Sequence, residues 1–330
     1  CKIKSICDAI EKSSGIVLVY SKYLDSGLLP MALALEEMGF SRYCYASHVK
    51  SFLKTPQTPL DALTMKPVTN ETKYKAQYAM ITGSPDFSPN NELDLKTITG
   101  KDNFDGKMVK VVMISDAGSE GIDFKNIRQV HVLDPWYNMS RIEQVIGRAV
   151  RNKSHCQLPV EQRNVEIYMH GSYHSKETES GDLYMYRLAE YKAIQVGKIT
   201  RMLKETAVDC LLNTEQNNFT ENNMNTQMKI TLSSNKEVDF SIGDKPFSSK
   251  CDYMEKCEVD CSAKDTLESN ADTHDYNHVR SNYLKISSRI KELYREKSFY
   301  SLDTLLYEIQ VGRSYPIEEI YYALSVFIRS

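Results

Sequence analysis

The sequence has no uninterrupted apolar run long enough to cross a bilayer, and this absence argues against a transmembrane protein. A membrane-spanning helix needs roughly 20 predominantly apolar residues, and every apolar stretch here is much shorter. The N-terminus also has no signal-peptide pattern, with its charged start and apolar centre. We therefore expect a soluble chain that is not secreted and has no membrane partner.

Cysteine and net charge are scarce as well. Eight cysteines are spread over 330 residues, which is too few for a disulfide scaffold and favours a reducing compartment. The formal net charge is -3, so a histone-like or tail-driven nucleic-acid binder is excluded and any phosphate recognition must be local. The length allows two or three domains with at least one sizeable core.

Short apolar segments alternate with helical patterns over the first half of the chain. Such alternation is typical of a parallel sheet with helices on both faces, and it predicts one α/β domain over residues 1–172. The predicted strands are 16–20, 41–46, 78–82, 109–115, 129–134 and 165–170; the predicted helices are 28–39 and 141–150, with Ser140 as N-cap; 56–72 and 84–105 are predicted loops.

The second half has a different texture. Residues 181–212 are long, helical and amphipathic, which predicts an arm within 173–213. Residues 214–280 are polar, contain cysteines and end in an acidic stretch, and we interpret them as a linker region with weak β character. Residues 281–330 have helical periodicity in three short pieces, which predicts a small helical or winged-helix-like module.

The stretch QVIGRAVR at 144–151 places three donor side chains on one helix face. Residues three or four apart are neighbours on a helix, so Gln144, Arg148 and Arg151 can face a single target. Arginine suits bidentate donation to phosphate or carboxylate, and Gly147 removes a Cβ beside them. An exposed basic helix with solvated charges is the alternative interpretation.

Two preceding strands end in loops rich in small and polar residues. SDAGSEGIDF at 115–124 follows one strand, and LDPWYN at 133–138 ends the next. Ligands of parallel α/β sheets bind at the carboxyl ends of the strands, so we expect both loops and the start of the arginine-bearing helix at one edge of the sheet. Gly118 and Gly121 allow close backbone approach to a phosphate or sugar, although an ordinary strand-to-helix turn has the same composition.

These motifs together resemble a known family. SDAGSEGIDF followed by QVIGRAVR resembles motifs V and VI in the second RecA-like domain of superfamily two helicases and translocases. LDPWYN and IVLVYSKY resemble the DPWWNP-type element of Swi/Snf-type translocases and the motif IV strand. The whole is similar to the DEAD-like and Swi/Snf-like helicases of large nucleocytoplasmic DNA viruses, a group distantly related to the poxvirus early transcription factor small subunit and nucleoside triphosphatase. MLKETAVDCLLN, CDYMEKCEVDC and IYYAL extend the similarity over most of the chain.

The resemblance implies roles for particular residues. Arg148 and Arg151 match the two arginines that reach the γ-phosphate of ATP from across the interdomain cleft. Gln144 would orient near the nucleotide or the attacking water, and Asp123 would bind the ribose or tether motif VI. The remaining implied positions are Gly121 and Gly147 at the nucleotide, Gly118, Ser115 and Ser119 at the nucleic-acid backbone, and Trp136 and Tyr137, which pack the helix or stack near nucleic acid.

The sequence contains no GxxxxGK[ST] phosphate loop and no DEAH-like acid pair. VGKIT at 196–200 lacks Ser or Thr directly after the lysine and has helical surroundings. We therefore expect Mg-ATP to be bound mainly by an upstream RecA-like domain of the same polypeptide, before Cys1, and this segment alone to be inactive.

A second group of residues has the chemistry of a metal site. Cys251, Cys257 and Cys261 could join Cys210 or His274 in tetrahedral zinc coordination. The first spacing is longer than usual for zinc ligands, and buried thiols acting as small hydrophobes are the alternative. The histidines His155, His170 and His174 have no metal-ligand spacing, and we interpret them as loop or surface residues.

The leading hypothesis is the C-terminal half of an ATP-dependent helicase or translocase that contacts the DNA or RNA backbone. By resemblance it would act in viral transcription or genome processing, with viral RNA polymerase as a partner, in the host cytoplasm at the viral factory, in the nucleus or in the virion. The alternative is a non-enzymatic docking module that keeps the helicase fold and binds polymerase or nucleic acid. An intact arginine pair favours the enzyme.

Overall fold

The computed structural model describes residues 2–45, 50–116, 121–173, 178–218, 226–262 and 279–329. The chain separates into two compact units, residues 1–263 and 264–330, and each is described by itself. The finer division of the chain at residues 172, 213 and 280 stays a prediction.

The first unit is built on a six-stranded sheet in the order β2-β3-β4-β1-β5-β6. All five neighbouring pairs are parallel. The strand β1 is the sequence IVLVY, buried at all five positions, because helices cover both faces of the sheet. The strands are β1 (Ile16–Tyr20), β2 (Ser41–Arg42), β3 (Gln77–Ile81), β4 (Val111–Ile114), β5 (Ile127–Val132) and β6 (Glu166–Met169).

Two apolar cores lie on the two faces of this sheet. The helices α1 (Lys2–Glu11) and α2 (Leu29–Met38) cover one face, where α2 follows a π-helical turn at Leu24–Leu28. On the other face lie α3 (Asn91–Ile98) and α4 (Met139–Ala149). The predicted α/β architecture, a parallel sheet with helices on both faces, is confirmed.

Several local predictions are wrong. The stretch predicted as a polar loop at 84–105 contains α3, and the predicted strand 41–46 is only two residues long. Helix α1 was not anticipated at all. The helix with the arginines begins at Met139 after Asn138 in extended backbone geometry, so Ser140 is not its N-cap. Polar residues dominate the sequence around α3, and its apolar contacts with the sheet are set by tertiary packing.

The predicted arm is a single helix, α5 (Gly181–Thr206). Its N-cap is Ser180, whose hydroxyl accepts a hydrogen bond from the Leu183 N–H. VGKIT lies within it, as expected. Gly197 is required on its buried side, because a Cβ there would lie 1.9 Å from the Asp252 carbonyl oxygen. The segment 248–261 packs on this side, and an antiparallel hairpin, β7 (Gln227–Thr231) and β8 (Glu237–Ser241), precedes it.

The four cysteines considered as zinc ligands form two disulfides. Cys210 pairs with Cys261, and Cys251 pairs with Cys257. Sulfur atoms that are bonded to each other cannot act as thiolate ligands, and among the described residues no group of three or more His, Cys, Asp or Glu could hold a metal. The zinc prediction is therefore wrong for this structure; His274 lies outside the described residues.

Within its described residues, 279–329, the second unit has the helices Tyr283–Glu296, Leu302–Gln310 and Ile317–Arg329. Their apolar positions recur at spacings of three and four, and they form one small core that includes Ile286, Ile290, Leu305 and Ile320. The mostly helical C-terminal extension is thus confirmed. In the part of the chain that the structure describes, no helix is both long enough and apolar enough to span a membrane.

Candidate functional site

Helix α4 presents the arginine pair because its opposite side is committed to the core. Ile142, Val145 and Ala149 are buried at spacings of three and four. The positions between them therefore face outward, with Gln144 exposed, Arg148 half-buried in the last turn, and Arg151 exposed just after the helix ends. Gln144 and Arg148 are four residues apart on the helix, as predicted, whereas Arg151 lies beyond its last residue, Ala149.

The loop that carries motif V is tied to the end of α4. The Phe124 N–H donates to the Arg148 carbonyl oxygen at 3.0 Å, and the Asn126 N–H donates to the Ser154 carbonyl oxygen at the same distance. The Arg151 Nε lies 3.5 Å from the Asp123 Oδ1. These contacts fix the loop before β5 to the C-terminal end of α4 and place Asp123 beside Arg151.

The two arginines differ in their surroundings. Arg151 donates from Nε to the Gly147 carbonyl oxygen at 3.1 Å in addition to its ion pair with Asp123. Within the described part of the chain, the Arg148 side chain has neither a hydrogen bond nor an ion pair. A half-buried guanidinium without a carboxylate partner keeps its full charge available to an anion.

The glycines beside the arginines border open space. A Cβ built at Gly147 or at Gly121 would meet no described atom within 4 Å. Gly121 also has φ +74°, a left-handed conformation that favours glycine. Neither glycine is needed for close packing within the described chain, so no described residue blocks the approach of a ligand or another domain to them.

The arginine pair and the strand ends do not lie at one edge of the sheet. Helix α4 starts at the carboxyl edge, after β5, and runs back along the face of the sheet. Its last turn therefore contacts Phe124, which precedes β5, through Arg148, and the segment after the helix contacts Asn126 through Ser154. The helix of 11 residues separates its two ends by about 16 Å. The expectation of a single edge concerned the strand ends and the helix start, and it agrees with the structure. Arg148 and Arg151 lie at the other end of the helix and just after it.

The predicted nucleic-acid contacts are only partly described. Ser115 directly follows β4 and is buried, and its N–H donates to the Ile81 carbonyl oxygen at 3.2 Å. Gly118 and Ser119 lie outside the described residues. Their role at the nucleic-acid backbone stays a prediction.

A charged network at the carboxyl edge was missed from sequence. Arg141 in the first turn of α4 lies 2.5 Å from the Asp116 Oδ1 through its NH2 group, and the Tyr20 hydroxyl donates to the same oxygen at 2.8 Å. Burial raises the pKa of Asp116, but the hydrogen bonds from Arg141 and Tyr20 outweigh it, so the pKa lies below its usual value. The signal was the position of Asp116 and Tyr20 at the ends of adjacent strands.

Aromatic residues complete this edge. Trp136 is half-buried against the core of the α4 face, its ring stacks on Tyr137 with centroids 4.7 Å apart, and the Lys22 ammonium lies 3.9 Å from its ring centre. Tyr137 is exposed. Packing of the helix is therefore the role that Trp136 has in this structure. Nearby, the Ser21 hydroxyl donates to the Asp134 carboxylate.

The histidines are more enclosed than expected. His155 is half-buried, with Nε2 2.6 Å from the Ile127 carbonyl oxygen. The Nε2 of His170 lies 3.0 Å from the Nδ1 of His131, which is completely buried. Burial, aided by the neighbouring His170, lowers the pKa of His131 to about 3. His155 and His170 lie in loops, which agrees with the interpretation as loop or surface residues, although both are half-buried; His174 lies outside the described residues.

The part of the chain that carries the paired motifs is similar to a known domain. Residues 71–153 match the family model described as the helicase conserved C-terminal domain. The match includes β3, β4, β5 and α4 with its arginine pair. Over these residues the chain is similar to the helicase conserved C-terminal domain.

Three viral proteins illustrate its relatives. The putative helicase 087L of Invertebrate iridescent virus 3 is 33% identical over 158 residues, 47% of this chain and 16% of that protein. The putative ATP-dependent RNA helicase R350 of Acanthamoeba polyphaga mimivirus is 35% identical over 149 residues, 43% and 18% respectively. Nucleoside triphosphatase I of Choristoneura biennis entomopoxvirus is 35% identical over 120 residues, 36% and 18%.

These comparisons confirm the resemblance to superfamily two helicases of large DNA viruses. The matched part spans less than a fifth of each of the three relatives, at 16%, 18% and 18% of their lengths. The activities of the whole proteins are therefore treated below as proposals for this chain.

Proposed function

We propose that this chain supplies the second RecA-like domain of an ATP-dependent helicase or translocase, with Arg148 and Arg151 acting on the triphosphate. The observation that carries the proposal is the pair itself: two guanidinium groups at one end of α4, beside open space over Gly147, with the Asp123 carboxylate holding one of them. The names of the relatives, an ATP-dependent helicase and a nucleoside triphosphatase, support nucleotide use.

Arg148 is the residue on which we expect turnover to depend most. Phosphoryl transfer builds charge on the transferred oxygens, and a guanidinium supplied from a second element stabilises that charge. The Arg148 guanidinium is paired with no carboxylate of a described residue, so it can bind a phosphate without breaking such a pair. The residues present therefore fit an incoming triphosphate, which Mg²⁺ and an upstream domain would hold.

Asp123 and Gln144 have supporting roles in this proposal. Asp123 keeps Arg151 beside the last turn of α4 while no nucleotide is bound, and the pair is exposed enough to exchange for a phosphate oxygen. Gln144 is exposed one turn before Arg148 and presents an amide toward the same side. We assign it to orienting the attacking water or the nucleotide.

The carboxyl edge is our proposed path for the DNA or RNA backbone, through Ser115, Gly118 and Ser119. Backbone contacts carry little sequence information, so we expect weak sequence preference and strong salt dependence. Within the parent protein, viral transcription or genome processing and contact with a viral RNA polymerase remain parts of this proposal.

The decisive experiment measures nucleic-acid-stimulated ATP hydrolysis by the parent polypeptide. Arg148→Ala should lower kcat by roughly 10³-fold or more, as for other arginines that act on a transferred phosphoryl group, with little change in nucleic-acid affinity. Arg187→Ala is the matched control, because Arg187 is an exposed arginine on α5 that pairs with Glu179; its kcat should stay at the wild-type value.

Retention of ATPase activity by Arg148→Ala and by the double variant Arg148→Ala, Arg151→Ala would overturn the proposal. The non-enzymatic docking module would then be the better description, provided that the variants still bind nucleic acid or polymerase. DNA and RNA should be compared as activators in the same assay, because the domain itself does not distinguish them.

A further inference from the structure

An open groove of about 690 Å³ lies beside the edge strand β6, away from the carboxyl edge. Its walls come from β6, from the hairpin β7–β8 and from the segment that follows α4, all within the first unit. The groove is separate from the strand-end loops of the candidate site, and Arg151 is the member of the arginine pair that lines it.

Apolar side chains from all three walls point into accessible space. Val160 is 57% exposed, Ile167 on β6 is 45% exposed, and Phe240 on β8 is 42% exposed. Aliphatic and aromatic groups gathered in one concave surface are characteristic of a binding site rather than of scattered surface residues. The groove is thus an apolar surface left uncovered by the described chain.

The charged residues among the described lining of the groove are all basic, and one of them, Arg151, is paired with Asp123. Among the described residues that line it there is no Asp or Glu, while Arg151, Lys153 and Arg163 do line it. Arg163 donates only to the carbonyl oxygens of Leu158 and Cys156, and Lys153 forms no ion pair with a described residue. In a chain with 44 acidic and 41 basic residues, a cationic rim without carboxylates selects for an anionic partner.

The apolar walls distinguish between two kinds of anionic partner. Single-stranded nucleic acids bind through aromatic platforms on which the bases stack. Here Phe240 is the single Phe, Tyr or Trp among the described lining residues, and the other apolar groups are aliphatic. Aliphatic walls with a charged rim match the anatomy of a protein interface instead.

We propose that this groove binds an extended polypeptide segment of a partner protein, with apolar side chains seated on Val160, Ile167 and Phe240 and acidic side chains facing Lys153 and Arg163. The bound segment would lie beside Arg151 at the end of α4. The inference does not depend on ATP hydrolysis, because the groove and its charges are present without nucleotide.

The test begins with a selection of random dodecapeptides displayed on phage against the full 330-residue chain. Enriched sequences should combine Leu, Ile or Val with Asp or Glu. One enriched peptide is then synthesised with a fluorophore, together with a version in which Lys replaces each acidic residue, and binding is measured by anisotropy.

Lys153→Glu and Phe240→Ser should each lower the affinity for the acidic peptide by about tenfold or more. The first reverses a charge at the rim of the groove, and the second removes an apolar side chain from its wall. Two variants are used because they perturb different elements, and circular dichroism checks that each is folded. Arg187→Glu, a charge reversal on the exposed side of α5, is the matched control and should leave the affinity unchanged.

The proposal is overturned if enriched peptides are basic or purely polar, if none is enriched, or if the Lys-substituted peptide binds as well as the acidic one. It is also overturned if sedimentation shows self-association that Phe240→Ser abolishes, since the occupant would then be a second copy. A single-stranded oligonucleotide that binds in place of the peptide, and loses affinity in Phe240→Ser, would likewise reject it.

Discussion

The Nε atom of Arg151 lies between the Oδ1 of Asp123, at 3.5 Å, and the carbonyl oxygen of Gly147, at 3.1 Å. This contact joins the loop before β5 to the last turn of α4, and it leaves Arg148 as the arginine whose charge is not shared. The two members of the pair are therefore not equivalent, and variants at Asp123 should separate their contributions.

Asp123→Asn should lower the nucleic-acid-stimulated kcat of the parent polypeptide by roughly tenfold, less than Arg148→Ala, because Arg151 loses its orientation but keeps its charge. The free energy of unfolding should change by less than about 1 kcal/mol, since both side chains are about half exposed. Glu179→Gln, which breaks the exposed pair with Arg187, is the control. Equal ATPase in Asp123→Asn and wild type would show that the tether has no functional role.

The parallel sheet could be predicted from the sequence because buried parallel strands are continuous apolar runs. The run IVLVY and the runs in β4 and β5 can only be stable when both sides are covered. Helix α3 and the hairpin β7–β8 were not resolved in that way, because their residues are polar and their positions depend on contacts with distant segments. The cysteine pairs were also inaccessible, since connectivity cannot be read from spacing alone.

In the candidate site, too, some residues could be predicted from the sequence and others could not. Gln144, Arg148 and Arg151 were recognisable because helical spacing places them on one face, and Asp123 because it ends a motif. The partnership of Asp116, Arg141 and Tyr20 was not, because these residues come from three elements and meet only when the sheet forms. The direction of α4 across the sheet also explains why the arginine pair lies away from the strand ends.

Burial of His131 should make stability depend on acid pH. Its pKa is about 3 in the folded chain and about 6.5 when unfolded. Between these values the unfolded chain binds the extra proton, so stability should fall as the pH is lowered from 6.5 toward 3, by up to about 1.4 kcal/mol per pH unit. Above 6.5 the contribution is fully present.

His131→Gln should remove this part of the slope, as measured by urea unfolding at a series of pH values from 4 to 8. Tyr168→Phe is a suitable control, because Tyr168 stacks on His131 and its pKa is raised to about 12 by burial and by Glu166, outside the window. If the variant and wild type have parallel pH profiles, His131 already takes up its proton in the folded state.

The cysteines should fall into three classes of reactivity toward iodoacetamide at pH 8 without reductant. Cys156 is exposed and should react fast. Cys7 should react slowly, because burial and the nearby Asp8 raise the pKa of its thiol to about 11 and thiolate is the reactive form. Cys210, Cys251, Cys257 and Cys261 should react only after reduction. Peptide mass spectrometry gives the modification at each position.

Metal analysis of the same protein tests the alternative, in which the four cysteines bind zinc. Stoichiometric zinc, together with four thiols that become reactive when a chelator is added, would replace the two disulfides by a zinc site. Without zinc, loss of the Cys210–Cys261 bond should destabilise the first unit by about 2–4 kcal/mol, because its loop is long.

Arg201 is the residue on which the packing of segment 248–261 against α5 depends most. Its Nε donates to the Asp252 Oδ2 at 2.9 Å, and its NH2 group donates to the carbonyl oxygens of Cys251 and Lys256 at 3.2 and 3.1 Å. Both members of the ion pair are buried, with side chains 9% and 4% exposed. Without Arg201, the buried Asp252 carboxylate would keep only the partly exposed Lys204 as an ion-pair partner, and the carbonyl oxygens of Cys251 and Lys256 would each lose a donor.

Arg201→Met should therefore lower the free energy of unfolding by roughly 3–5 kcal/mol and expose segment 248–261 to limited proteolysis. Lys204→Met is the matched control: Lys204 also contacts Asp252, at 2.7 Å, but its side chain is 31% exposed, and its loss should cost less than about 1 kcal/mol. Similar losses in the two variants would mean that the charge on Asp252 is compensated by solvent, and that Arg201 does not hold the segment in place.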